Sequence, residues 1–443
     1  MYLSFYLTYL WPSLVGLLVL WFSTRAKCHP HIKAVIFLIA QILIAPHYTG
    51  VRPSAENMAL ITLGGYIVFT KMAEEYGYRF EKRAAALFLG LYMTYWVAVK
   101  YLLPLGGLNF PADVVYYVIT ATPKIPARFL DMWGAVRDAI YYHVEPASIA
   151  MVGVSYIGFK LIHFIVDYKA GDIKSPKTLE FLNWMFFFPS LIAGPMIRFQ
   201  DWMEQRENPK VDVDGIFDGL RRLIIGIFMK VVLADSIHGL TIASMSATAL
   251  QQAHAWQIIA SCLIYYVYLY CDFAGYSHIA IGLARFWNIR LPENFDAPYR
   301  ARNLAEYWNR WHITLSLLLR DYLFYPISLY LKRIKALRKY PNMTAFIPPM
   351  ATFLFSGIWH GAGLNFVLWG AMHGVGMASL AVMKRYNFKG PFAQWWQTSR
   401  VAYACSASIT FFYVSMAFIF FCLPADKLLC LWQNMTGTVP PGF

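Results

Sequence analysis

The segment Phe355-Ser356-Gly357-Ile358-Trp359-His360-Gly361-Ala362-Gly363 decides how this chain is read. It closes an almost uncharged run over 344–358. A second apolar run follows, Leu364 to Met383, whose only ionisable side chain is His373. Two such runs joined by a glycine-rich turn describe a helical hairpin in lipid. A histidine at that depth loses several kcal/mol of hydration unless a partner recovers it, so His360 is a functional candidate. The same spacing allows a packing role beside a Gly357-xxx-Gly361 helix contact. A second Trp-His pair, Trp311-His312, lies 48 residues upstream and raises the weight of the functional reading.

Composition places the whole chain in the same environment. Of 443 residues, 58% are apolar and 14% charged, against roughly 25% charged in a soluble domain. The 30 Tyr, 33 Phe and 15 Trp suit helices anchored by rings at both membrane interfaces. The formal charge of +14 does not point to nucleic acid. The basic residues cluster in short loops between apolar runs, where they set topology and meet anionic lipid headgroups. The six cysteines (28, 262, 271, 405, 422, 430) form no CxxC and imply neither a disulfide framework nor a metal site. Residues 3–22 read as a retained first membrane helix, since no basic residue precedes them and no small-residue cleavage site follows.

Further apolar runs lie near 34–49, 57–70, 84–103, 147–166, 181–197, 215–234, 256–271, 273–287, 311–331 and 401–423. Several are short or polar, so the expectation is an all-α polytopic membrane protein with about eleven spans plus re-entrant or interfacial helices. No repeat or linker divides it, and 1–443 reads as one membrane domain. Basic loops at 24–33, 71–83, 332–339 and 384–389 predict those segments on the cytoplasmic side and the N-terminus outside. Residues 104–146, broken by Pro104, Pro111, Pro123 and Pro126, read as an interfacial excursion, and 168–180 as a loop.

Four stretches could carry chemistry. Phe188-Pro189 to Gly194-Pro195 interrupts an apolar run, which membrane depth tolerates only under protein cover or beside water. Tyr270 to His278 places Asp272 and Tyr276 between two apolar runs. Arg290 to Arg300 carries Glu293, Asp296 and Arg300, which read as an interfacial loop tied by ion pairs. In Glu306 to Tyr322, a helix would put Trp308, Trp311, His312 and Leu315 on one face, with Arg320 and Asp321 too deep to be free and satisfied by an internal ion pair or a ligand.

Taken in order, Tyr270–His278, Leu291-Pro292-Glu293-Asn294-Phe295 through Pro298-Tyr299, Trp308-Asn309-Arg310-Trp311-His312-Ile313-Thr314-Leu315-Ser316, Arg320-Asp321-Tyr322 and Trp359-His360-Gly361 resemble the membrane-bound O-acyltransferase family, over roughly residues 150–375. Within it they resemble the bacterial branch of alginate and peptidoglycan O-acetylases and teichoic-acid D-alanyl transferases. The resemblance implies a helical fold around a central tunnel or funnel, in the bacterial cytoplasmic membrane. It puts the family's near-invariant histidine at His360 and a second polar position at His312. Two departures stand out. The turn after Arg320-Asp321-Tyr322 is Tyr325-Pro326-Ile327-Ser328-Leu329, not the alginate-type Pro-Leu-Gly-Gly-Asn, and the D-alanyl branch's Met-Arg element is missing.

Acyl transfer to a hydroxyl needs the alcohol proton removed, the oxyanion stabilised and water excluded. Burial disfavours imidazolium, so a buried histidine stays neutral and can act as base near neutral pH. The expectation is therefore His360 as base, with His312 in the same cavity, placing the acceptor hydroxyl or donating to the oxyanion. Asn309, Arg310, Trp311, Ser316, Arg320, Asp321, Trp359, Asp272 and Tyr276 are candidate substrate contacts. No bound cofactor is expected. The donor would be a thioester, acetyl-coenzyme A or an acyl-carrier protein, and the partners membrane lipids and an extracytoplasmic polymer or a periplasmic acetyltransferase. A transporter or a polymer-export scaffold remains the rival class, since broken apolar segments and buried charges occur there too.

Overall fold

A computed structural model describes residues 154–173, 178–191, 193–207, 213–361, 363–386 and 390–437, with single positions 15, 18 and 36. The runs expected at 3–22, 34–49, 57–70 and 84–103, the basic loops at 24–33 and 71–83, and the segment 104–146 lie outside the described residues, those single positions apart. The described chain is helical, with one isolated antiparallel bridge between Phe295 and Trp311.

It divides into two compact units. The first takes the residues up to Ala193 together with 198–211 and 286–289, and the second the remainder. In the first unit, α1 (Val154–Ala170), α2 (Thr178–Met185) and α3 (Phe199–Glu207) pack around Phe164, Phe181, Trp184 and Phe199, whose rings meet mostly edge to face. After α2 the Phe188-Pro189 break forms a 3-10 turn over Phe188–Ser190, and Gly194 takes φ +95. The carbonyls at the end of α2 are met by a buried amine. Buried Lys160 donates from Nζ to the Trp184 and Met185 carbonyls at 3.1 and 3.3 Å and to Ser190 Oγ at 3.2 Å.

The second unit begins with α4 (Val213–Ile227), extended by a π turn over Phe228–Ala234 and a last α turn to His238. After short α5 (Ala247–Gln252) comes α6 (Ala255–Phe286), a single helix of 32 residues. The apolar runs 256–271 and 273–287 are thus one element, and Tyr270–His278 is its interior. It continues through Asp272 because Lys230 supplies the counter-charge. Helices α4 and α6 touch backbone to backbone: a Cβ on Gly226 would fall 2.6 Å from the Gly275 carbonyl oxygen, and one on Gly282 2.7 Å from that of Gly219. Beyond that contact Arg222 binds Asp218 and both carboxylate oxygens of Glu293, so the ion pairing expected of Glu293 is present, whereas Arg300 lies beside the Tyr299 ring.

Next come α7 (Leu304–Trp308) and α8 (Ile313–Leu319), whose π turn over Arg320–Phe324 leads into α9 (Tyr325–Arg333). Helices α10 (Pro341–His360) and α11 (Leu364–Met383) form the expected hairpin. They cross where a Gly357 Cβ would lie 3.2 Å from the Gly370 Cα, so the packing role of Gly357 holds. After α12 (Pro391–Thr398), α13 (Arg400–Cys422) packs on α11, and α14 (Ala425–Thr436) packs on α5. Among the described residues, three helices are long and apolar enough to cross a membrane: 255–286, 364–386 and 400–422. Buried Tyr266, Tyr307, Trp311, Trp369 and Phe418 form the core of this unit.

Candidate active site

The Trp311-His312 pair does not sit on a continuous helix. Helix α7 ends at Trp308, and His312 takes the left-handed conformation (φ 44, ψ 53) before α8 starts at Ile313. This break replaces the single face expected for Trp308, Trp311, His312 and Leu315. Its cause is pairing with the 290–300 segment, where the Asp296 amide donates to the Arg310 carbonyl and the Ile313 amide to the Asn294 carbonyl, both at 3.0 Å.

Asn294, 1% exposed, organises the corner. Its Oδ1 accepts from the Thr314 amide (3.2 Å) and the Thr314 hydroxyl (2.9 Å), and lies 3.2 Å from His312 Nδ1. A backbone amide can only donate, so the oxygen of this carboxamide is the atom facing α8. His312 Nδ1 therefore carries the proton and Nε2 the lone pair. The Asn294 amide points the other way, donating to Ser277 Oγ at 3.4 Å. Phe273 stands edge-on to the imidazole at 4.7 Å, and the ring is buried.

A cavity of about 220 Å³ lies between α7, α8 and the middle of α10. Asn309, Ser316 and Arg320 stand on its wall, opposite Pro349, Thr352, Phe353 and Ser356. Three expected substrate contacts are thereby brought together, and neither His312 nor His360 belongs to that wall. Arg320 pairs with its neighbour Asp321 at 2.9 Å, as expected, but its side chain is 44% exposed, so the depth expected for it is not found.

The remaining candidates sit elsewhere. Arg310 is held by Asp296 (2.9 Å) and Glu306 (3.2 Å). Partial burial works to raise the Glu306 carboxyl, but the Arg302 amide and the Arg310 and Arg302 charges outweigh it, leaving it below its ordinary value. Trp311 is core, stacked on Tyr307 at 5.6 Å. Asp272 pairs with Lys230, and Tyr276 lies one turn further along α6.

His360 ends α10, half-buried, with Trp359, Trp369 and Phe421 around it at 4.6, 5.1 and 5.0 Å between ring centres. Trp369 also touches His373 (4.9 Å) and Trp308 (5.9 Å), so one indole joins the surroundings of His360 to the cavity wall. His373 is fully buried, and neither ring nitrogen has a hydrogen-bond partner among the described residues. Sequence reasoning had passed over Asn294, Thr314 and Lys160. A lysine inside the apolar run 147–166 was a signal for the last. For Asn294 the signal was its place in the Leu291 to Phe295 motif, while its partners, 18 and 20 residues away, were out of reach of local pattern.

With fold and geometry in place, the chain belongs to the membrane-bound O-acyltransferase (MBOAT) family, which residues 132–423 match. It is 33% identical over 313 residues to the peptidoglycan O-acetyltransferase of Helicobacter pylori, covering 63% of this chain and 55% of that one. To the probable alginate O-acetylase of Pseudomonas fluorescens it is 37% identical over 263 residues, covering 57% and 51%. To the teichoic acid D-alanyltransferase of Bacillus subtilis it is 28% identical over 307 residues, covering 67% and 75%. The chain spans about half the length of the first two relatives.

Proposed function

We propose that this protein is a membrane-bound O-acyltransferase of the bacterial cytoplasmic membrane, with its N-terminus outside. It moves an acetyl group from a cytoplasmic thioester to hydroxyls of an extracytoplasmic polysaccharide or cell-wall polymer, directly or through a periplasmic acetyltransferase. The observation that carries this reading is that one family match, over residues 132–423, spans every element of the site, including both Trp-His pairs. His360 takes the proton of the acceptor hydroxyl as its oxygen bonds to the thioester carbonyl carbon. Collapse of the tetrahedral intermediate breaks the carbon–sulfur bond, and the departing thiolate receives the proton back from the imidazole. With its proton on Nδ1, His312 offers an acceptor at Nε2, which favours positioning the acceptor through a neighbouring hydroxyl over donating to the oxyanion, while the proton of the reacting hydroxyl goes to His360. Asn309, Ser316 and Arg320 offer polar contacts to substrate along the cavity, and the aromatic rings around His360 keep bulk water from the thioester.

D-alanyl transfer from a carrier protein is the second reading, favoured by the fuller coverage of the D-alanyltransferase relative. The test is His360→Ala in full-length protein, assayed with radiolabelled acetyl-coenzyme A and with a D-alanyl carrier. Transfer from one donor should fall at least roughly 10²-fold, the usual contribution of a positioned acid or base, while expression and monodispersity hold. Near-normal transfer in that variant would refute His360 as the base, and absence of transfer from either donor by the unaltered protein would leave a transporter or scaffold as the better account.

A further inference from the structure

A second concavity lies apart from the site above, between the last two turns of α11 and the first half of α13. It is an open groove of about 550 Å³, within the roughly 300–1,000 Å³ of ligand clefts. Both helices are long and apolar enough to cross a membrane. The groove opens on their outer face, where Met383 and Ile409 on its rim are 52% and 63% exposed and Val375 and Val401 nearby are exposed too. On helices of that length such a surface faces hydrocarbon. A ligand here must therefore carry an apolar chain.

Part of the lining is polar, with one basic side chain, Arg302. Ser406 and Thr410 are buried in the floor, Thr410 donating to the Ser406 carbonyl at 2.9 Å. Arg302 stands on the wall, its side chain 46% exposed and its guanidinium 5.6 Å from the Tyr403 ring centre. Its acidic partner among the described residues is Glu306 at 3.6 Å, which Arg310 also claims. Lys384 and Arg385 follow α11 directly and Arg400 opens α13, so this end of the helix pair carries cations in excess. Basic clusters at helix ends attract anionic headgroups, and a guanidinium suits a phosphate.

We propose that this groove binds an anionic phospholipid of the surrounding bilayer, one acyl chain lying along Leu380, Met383 and Ile409 and the phosphate meeting Arg302. This is a site for a resident lipid, independent of the acyl-transfer reading.

The test uses delipidated full-length protein in detergent and native mass spectrometry against phosphatidylglycerol and phosphatidylcholine. One phosphatidylglycerol should be retained at least about tenfold more tightly than phosphatidylcholine. Arg302→Gln should reduce that preference at least about fivefold, and Ser379→Trp, on the exposed rim, should block both lipids while gel filtration stays unchanged. Equal binding of the two lipids by the unaltered protein would overturn the proposal. So would phosphatidylglycerol retention that ignores both substitutions. Displacement of the lipid by micromolar acetyl-coenzyme A would overturn it in favour of a donor site.

Discussion

Replacing Asn294 by Ala should cost both stability and transfer, for one reason. Its Oδ1 accepts from the Thr314 amide, the Thr314 hydroxyl and His312 Nδ1 in a place that is 1% exposed. The hydroxyl can turn to another acceptor and the imidazole can move its proton to Nε2. The amide can do neither. One permanently orphaned donor costs about 1–3 kcal/mol, and the small cavity adds to it, for roughly 2–4 kcal/mol in all. Movement of the proton to Nε2 removes the lone pair proposed to position the acceptor, although the imidazole itself is intact. Because His360 and not His312 is the proposed base, the loss should be smaller than the roughly 10² of a positioned base, about tenfold. Asn294→Asp keeps an oxygen acceptor toward all three donors and should recover most of the transfer lost in Asn294→Ala. Thermal unfolding of detergent-solubilised protein and a donor-saturated transfer assay measure the two effects separately. Full transfer by a folded Asn294→Ala protein would refute the assigned tautomer and, with it, the part given to His312.

Three further outcomes are expected. Gly226→Ala puts a methyl 2.6 Å from the Gly275 carbonyl oxygen and should destabilise by about 1–3 kcal/mol as α4 and α6 separate, read as a lower thermal midpoint. Lys160→Met removes the Nζ donor to the Trp184 and Met185 carbonyls, the first of which keeps the Phe187 amide at 3.4 Å, and should cost about 1–3 kcal/mol, seen as poor yield of monodisperse protein. His373→Phe removes two buried ring nitrogens that have no hydrogen-bond partner among the described residues. Stability should hold or rise by about 1 kcal/mol with transfer intact, and a tenfold loss of transfer would shift the catalytic part toward His373.

How far the sequence carries depends on whether the deciding partner is near along the chain. The interruption at Phe188-Pro189 and the Arg320-Asp321 pair are local, and both are found as expected. The unwinding at His312 is not legible locally. Histidine enters the left-handed region more readily than most residues, yet nothing in Trp311-His312-Ile313 demands it. Only pairing with Asn294 and Asp296 makes the break favourable. Likewise Asp272 looks like a divider between two apolar runs until Lys230, 42 residues earlier, supplies its counter-charge. Periodicity has no access to that distance. The ordered motifs had access to the family, which the match over 132–423 confirms.

The π turn over Arg320–Phe324 closes with the Tyr325 amide bonded to the Arg320 carbonyl, five residues back. Such a turn is an α-helix holding one surplus residue. Deleting any one of the five would let the helix run on without a bulge, and because the wide turn absorbs its extra residue locally, the flanking turns would stay in phase. Leu331 would keep its buried side. What would change is the turn itself, whose Arg320 and Phe324 line the cavity. A single-codon deletion there would disturb the cavity wall and spare the packing of α9.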